Sequence, residues 1–224
     1  VQRAAGVLCQ TFPGGETEGL ERLRAVRVLD PSCGAGNFLV VALQALRELE
    51  RAVIEWAARV LAIVDQILAG VEEAHLAGVI HADLKSDNII VEQRRTGQDT
   101  VKVVDFGIAR LLNAPREGED RSISGTPEYM APELIGGAPP SVATDLYAVG
   151  IVAYEMLTGQ TPFVGGSAID ILTRQLKQTA RPPSEVVTVP PAIEQLVMTA
   201  ISKRPGDRFA DAPAMRPYVK REIK

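Results

Sequence analysis

The chain has 224 residues, enough for one large domain or two small ones with a true buried core. Its 46% hydrophobic and 23% charged residues are ordinary for a folded protein, and a net charge of −4 gives no general attraction to nucleic acid or anionic lipid. Cys9 and Cys33 lack a CxxC spacing and have only His75 and His81 as further soft ligands, which argues against a disulfide framework or zinc site and for free thiols.

The apolar run at 146–157 is too short to span a membrane and contains Glu155. No basic segment followed by an apolar stretch opens the chain, so no secretory signal is expected and a cytoplasmic location is. The first residue is Val1 rather than Met, which fits a fragment or an unusual start.

In chain order, residues 1–24 hold a turn at Pro13-Gly14-Gly15 and a charged, helix-prone piece at 18–24. Residues 25–29 suit a short buried strand. Asp30-Pro31-Ser32-Cys33-Gly34-Ala35-Gly36 is a tight turn, and Asn37 caps the helix that follows. Residues 38–69 contain neither Gly nor Pro and repeat apolar residues at helical spacing. One helix of that length would run about 48 Å, long for a compact domain. Two helices meeting near 50–55 are therefore expected, with a domain junction there. A helix over 59–77 ending at Gly78 comes next, then two β-branched strands at 89–91 and 101–104, read as a hairpin. An irregular stretch rich in Gly, Pro and Ser fills 111–137. Helices are expected at about 143–157, 168–178 and 192–201, broken at 181–183 and 190–191 by prolines.

The chemistry-bearing residues cluster in the second part. His81-Ala82-Asp83-Leu84-Lys85-Ser86-Asp87-Asn88 is followed by Asp105-Phe106-Gly107 and by Ala131-Pro132-Glu133. An Asp that takes a hydroxyl proton, with an Asn five residues on that turns back to a magnesium ion, suits phosphoryl transfer. In this order the three motifs resemble the catalytic loop, metal-binding loop and activation-segment end of a protein kinase. From about residue 52 onward the chain is most similar to the helical C-lobe of bacterial Ser/Thr kinases.

That resemblance implies roles for individual residues. Asp83 would be the catalytic base or proton acceptor, Lys85 would neutralise the transferred phosphoryl group, and Asn88 and Asp105 would hold Mg2+ with ATP. Gly125-Thr126-Pro127-Glu128-Tyr129-Met130-Ala131-Pro132-Glu133 resembles the Ser/Thr rather than the Tyr class, with Thr126 in the substrate-facing loop beside Asp83. Phe106 and Gly107 complete the metal-binding loop. Asp145 and Gly150 match the helix that braces the catalytic loop, and Arg208 matches the arginine that pairs with Glu133. The implied partners are a protein substrate or docking protein.

Two departures bear on activity. Ala82 stands where most kinases carry the arginine that grips a phosphorylated activation loop, so Ser122 and Ser124 read as solvated loop residues. No lysine precedes Lys85, and no glycine-rich phosphate loop or V-A-x-K strand can be assigned. The nucleotide-covering N-lobe is thus expected to be missing and the chain alone weak or inactive. Apolar surface left bare near 59–77 and around Phe106 would then favour self-association.

Asp30-Pro31-Ser32-Cys33-Gly34-Ala35-Gly36-Asn37-Phe38-Leu39 resembles the first motif of S-adenosylmethionine-dependent DNA adenine methyltransferases, over about residues 6–50. Glycines there let backbone N–H groups approach a cofactor, which would make Asp30, Gly34 and Gly36 a remnant of that loop. The prolines at 139–140 and 182–183 have the wrong neighbours for the family's target-base motif, so no bound S-adenosylmethionine and no methyl transfer are expected.

The expected fold is mainly α with small β hairpins: a kinase-like C-lobe over 52–224 without an N-lobe, behind a strand–turn–helix α/β fragment at 1–51. The expected function is Ser/Thr protein phosphorylation. Its rivals are a pseudokinase or protein-binding module and a fusion product without a selected function, which nucleotide-binding calorimetry with and without magnesium would separate from it.

Overall fold

A computed structural model describes residues 2–3, 37–94, 97–106, 110–111 and 125–223. The expected strand at 25–29, the turn with Asp30, Gly34 and Gly36, and residues Gly107, Ser122 and Ser124 lie outside the described residues. The elements run β1 (Gln2–Arg3), α1 (Asn37–Leu76), β2 (Val79–Ile80), β3 (Ile89–Gln93), β4 (Asp99–Val103) and β5 (Arg110–Leu111). They continue with α2 (Pro132–Ile135), α3 (Val142–Thr158), α4 (Ala168–Lys177), α5 (Pro191–Ala200) and α6 (Ala212–Ile223).

Helix α1 corrects the expectation of two helices. It is one helix of 40 residues that runs straight through 50–55. The length argument assumed that the whole helix had to be covered by the domain. Among the residues whose burial is described, its core-facing side runs from Ala57 through Val60, Leu61, Val64, Ile67, Leu68 and Val71, while Ile54 is exposed. Ala, Leu, Glu and Arg are strong helix formers, so nothing local interrupts the helix at 50–55.

Strands β3 and β4 form the expected antiparallel hairpin, with Ile89 opposite Val103 and Val91 opposite Val101. Three short strands not foreseen in the sequence complete the sheets. Strand β1 adds to the free edge of β3, with Gln2 opposite Val91, and β2 pairs with β5. The hairpin is clasped to α1 by polar side chains. Arg59 binds both carboxylate oxygens of Asp99 at 2.6 and 3.0 Å, and Gln66 donates to the Asp99 carbonyl while accepting from the Val101 N–H.

Helix α3 is the centre. It is apolar on nearly every side, as a helix covered all round must be, with Leu146, Tyr147, Val149, Ile151 and Val152 inaccessible to solvent. The run that looked most membrane-like in the sequence is this core helix, and among the described residues no helix is long and apolar enough to cross a membrane. The Ser141 N–H donates to Thr144 Oγ1 at its start, and Gly159 ends it in the left-handed conformation (φ 79°). Gly150 lets α5 approach closely, since a Cβ there would sit 2.8 Å from Ala200 Cβ and Ile201 Cγ2. Helix α6, also unforeseen, lies along α1. Arg216 reaches Asp65 at 2.8 Å and Glu72 at 2.7 Å, two turns apart on one face of α1.

Two cations in the C-terminal part have opposite fates. The fully buried Arg208 guanidinium forms a bidentate pair with Glu133 (2.7 and 2.7 Å) and also donates to the carbonyls of Ala143, Ser202 and Lys203. Lys203 Nζ, by contrast, is buried without a hydrogen-bond partner among the described residues, 4.1 Å from the centre of the Phe163 ring. Burial, helped by the neighbouring positive Arg208, pushes its pKa down from 10.5 to about 8.

Arg208→Ala should strand the Glu133 carboxylate in a largely buried site and cost about 3–5 kcal/mol, read as a lower urea midpoint. For Lys203 the sign is reversed. The unfolded chain binds the lysine proton more tightly than the native state does, so stability climbs as pH rises from about 8 toward 10.5. Lys203→Met is therefore expected to gain about 1 kcal/mol at pH 7, for a side chain only half-buried, and to lose that advantage as pH approaches 10.5. Urea titrations at the two pH values check both the gain and its disappearance.

Candidate active site

The loop 81–88 hangs between β2 and β3, and its shape is set from below by Asp145 in the first turn of α3. Asp145 Oδ1 accepts the Ala82 N–H at 2.9 Å, and Oδ2 accepts the His81 N–H at 2.8 Å and His75 Nε2 at 2.9 Å. Ala82 is held in the left-handed region (φ 67°), which costs a non-glycine residue about 1–2 kcal/mol. His81 is buried. Its Nδ1 accepts from the Asp83 N–H at 3.4 Å, so its proton lies on Nε2, which donates to the Val104 carbonyl at 3.2 Å. The Phe106 ring packs 4.5 Å from the His81 ring.

This frame brings Asp83, Lys85 and Thr126 together. Lys85 Nζ lies 3.0 Å from Asp83 Oδ2 and 3.0 Å from Thr126 Oγ1, and the Thr126 N–H donates to Asp83 Oδ1 at 3.3 Å. Asn88 Nδ2 donates to the Asp83 carbonyl at 2.9 Å, which spends the amide's donor inside the loop and leaves its oxygen as the acceptor toward a ligand. The Asn88 carbonyl in turn accepts the Val104 N–H at 2.9 Å, and this bond fastens the loop to the segment that carries Asp105. Asp105 is exposed and, like Ala82, left-handed (φ 63°). Phe106 is 36% exposed, so its ring is only half covered by His81 and its surroundings. Among the described residues no group of three or more His, Cys, Asp or Glu side chains converges as a metal cluster.

The remaining residues singled out in the sequence stand behind this group. Glu133 and Arg208 meet each other rather than the loop, and Gly150 meets α5. Several side chains that sequence reasoning missed surround them. Tyr129 donates to Glu155 at 2.7 Å and shares a 2.8 Å contact with Ser86 Oγ. Burial pushes the Tyr129 hydroxyl well above its ordinary range and pushes the Glu155 carboxyl up, so the proton stays on the phenol that donates it. Gln175, wholly buried on α4, donates to the Glu128 carbonyl at 2.7 Å. Tyr129 lay inside a quoted motif, and His75 stands only six residues before His81. Gln175 carried no local signal at all.

A family model described as Protein kinase domain matches residues 38–218. Serine/threonine-protein kinase pkn3 of Myxococcus xanthus is 43% identical over 165 residues, 70% of this chain and 30% of that protein. Serine/threonine-protein kinase Pkn1 of the same organism is 40% identical over 162 residues, covering 71% and 23%, and serine/threonine-protein kinase PkaB of Streptomyces coelicolor is 36% identical over 153 residues, covering 66% and 36%. The chain thus spans about a third or less of the length of these curated relatives. With the match extending over most of its length, the chain belongs to the protein kinase family.

Proposed function

We propose that this chain provides the C-lobe side of a Ser/Thr protein kinase active site, which transfers the γ-phosphoryl group of ATP to a hydroxyl of a protein substrate. The observation that carries the proposal is the joined set of Asp83, Lys85 and Thr126 on a loop whose strained backbone is fixed by Asp145. In the reaction the substrate oxygen bonds to the γ-phosphorus, the bond to the β–γ bridging oxygen breaks, and ADP leaves. Asp83 receives the hydroxyl proton. Lys85, already beside Asp83 and Thr126, sits where it can offset charge on the moving phosphoryl group.

The donor set suits a hard cation. The Asn88 amide oxygen and the exposed Asp105 carboxylate are the oxygen ligands that magnesium prefers, and bound Mg2+ would neutralise the phosphate oxygens. The division into 1–51 and 52–224 is kept in this reading, with Ala57 the first buried apolar side chain of α1 among the described residues. Phosphoryl transfer further requires residues that cover the nucleotide from the opposite side, and the partly exposed Phe106 would lie on the face they cover. A docking module without catalysis is the rival reading.

Calorimetry and transfer assays separate these readings. The chain alone is expected to bind Mg-ATP weakly and magnesium-dependently, while a binding module would show no nucleotide heat. Asp105→Ala should weaken that binding about tenfold or more by removing a metal ligand. Asp83→Asn, which still accepts the Thr126 N–H but is a far poorer base, should leave nucleotide binding within about twofold. With a nucleotide-covering lobe supplied in trans, the same variant should lower transfer by about 10²–10⁴. Full transfer activity in Asp83→Asn would remove Asp83 from the base role.

A further inference from the structure

Helix α4 buries only two side chains among its described residues, Ile171 and Gln175, four apart on one face. Ile171 is what an amphipathic surface helix needs there. Gln175 is not. It is fully inaccessible to solvent, and burying an amide is unfavourable unless its oxygen and nitrogen are both matched.

Both are matched, and by partners on different elements. The amide oxygen accepts the hydroxyl of Tyr147 on α3. The amide nitrogen donates to the carbonyls of Glu128 at 2.7 Å and Pro127 at 3.4 Å. The orientation follows from the turn. The carbonyls of Glu128 and Pro127 can only accept, so the NH2 must face the 127–129 turn, and the amide oxygen is left facing Tyr147. Burial pushes the Tyr147 hydroxyl far above the ordinary tyrosine range, so it stays protonated and can donate to that oxygen.

The same turn is held at its other side by the Thr126 N–H on Asp83 and by the Tyr129 hydroxyl on Glu155. Its main chain is therefore fixed from two directions, toward the catalytic loop and toward α4. We propose that Gln175 is a positioning residue for the substrate-facing segment 125–130, holding its carbonyls through an amide that Tyr147 orients. The consequence for substrate binding rests on the kinase reading above; the positioning itself does not. Displacing α4 would move this segment relative to Asp83 without touching Asp83, Lys85 or Asp105.

The test uses the full 224-residue chain with Gln175→Met, similar in length but without polar atoms, and Tyr147→Phe, which keeps the ring. Hydrogen exchange followed by mass spectrometry should show the 125–130 segment of Gln175→Met opening about tenfold faster, with α3 unchanged. Tyr147→Phe should move the same segment in the same direction by less, and the double variant should go no further than Gln175→Met. Unchanged exchange at 125–130, or equal acceleration throughout α3 and the core, would overturn the proposal. In a reconstituted transfer assay Gln175→Met should raise KM for a peptide acceptor about tenfold and leave KM for ATP within about twofold. Equal changes in the two constants, or none, would overturn its role in substrate binding. If the reconstituted wild type transfers no phosphoryl group, the kinase reading fails, and the exchange data still decide the position of Gln175.

Discussion

The Asp145 carboxylate is the interaction on which the site depends. It is almost completely buried, which would cost several kcal/mol for an ion without partners. Its two oxygens instead meet three donors: the main-chain N–H groups of His81 and Ala82 and the imidazole of His75. Its place in the first turn of α3 adds the favourable end of the helix dipole. Hydrogen bonds to a charged acceptor contribute about 1.5–3 kcal/mol each, enough to offset the left-handed strain at Ala82. Without that anchor Ala82 would relax to a right-handed conformation, and Asp83 next to it would no longer face Lys85 and Thr126.

The same helix carries further constraints around this site. Glu155 takes the Tyr129 hydroxyl, Tyr147 orients Gln175, and the Ala143 carbonyl accepts one arm of Arg208, whose other contacts hold Glu133. The Arg208 guanidinium also lies 4.7 Å from the centre of the Tyr147 ring, so the two tethers share a side chain. One rigid, wholly covered helix thus fixes the two loops relative to each other. Precision in such a site comes from a regular element beneath it rather than from the loops themselves.

This hierarchy explains what was legible in the sequence. The candidate site residues were named from motifs that resemble those of protein kinases, whereas the hairpin and central helix followed from β-branched runs and apolar periodicity. Continuity of α1 through 50–55 was not legible, because it depends on how far the helix may project beyond its packing. Helix α6 was hidden by Pro213 and Pro217, and local propensity argues against it. It forms because Met215 and Val219 are buried and Arg216 spans Asp65 and Glu72, partners about 150 residues away in sequence. Gln175 and His75 escaped for the same reason: their roles lie in partners that no spacing rule brings near them.

Charge decides the order in which the site can be filled. On the kinase reading, a nucleotide approaching the loop meets the carboxylates of Asp83, Asp87 and Asp105 against a single ammonium, Lys85, which already faces Asp83. A triphosphate carries about four negative charges at neutral pH, and at separations near 4 Å each unscreened like-charge pair opposes it by about 1–4 kcal/mol, depending on local polarity. A divalent cation held by the exposed Asp105 carboxylate and the Asn88 amide oxygen would reverse that sign. On that reading, nucleotide affinity on this face would belong to the metal complex rather than to the nucleotide alone, and Lys85 would serve the moving phosphoryl group rather than the anchoring of the rest.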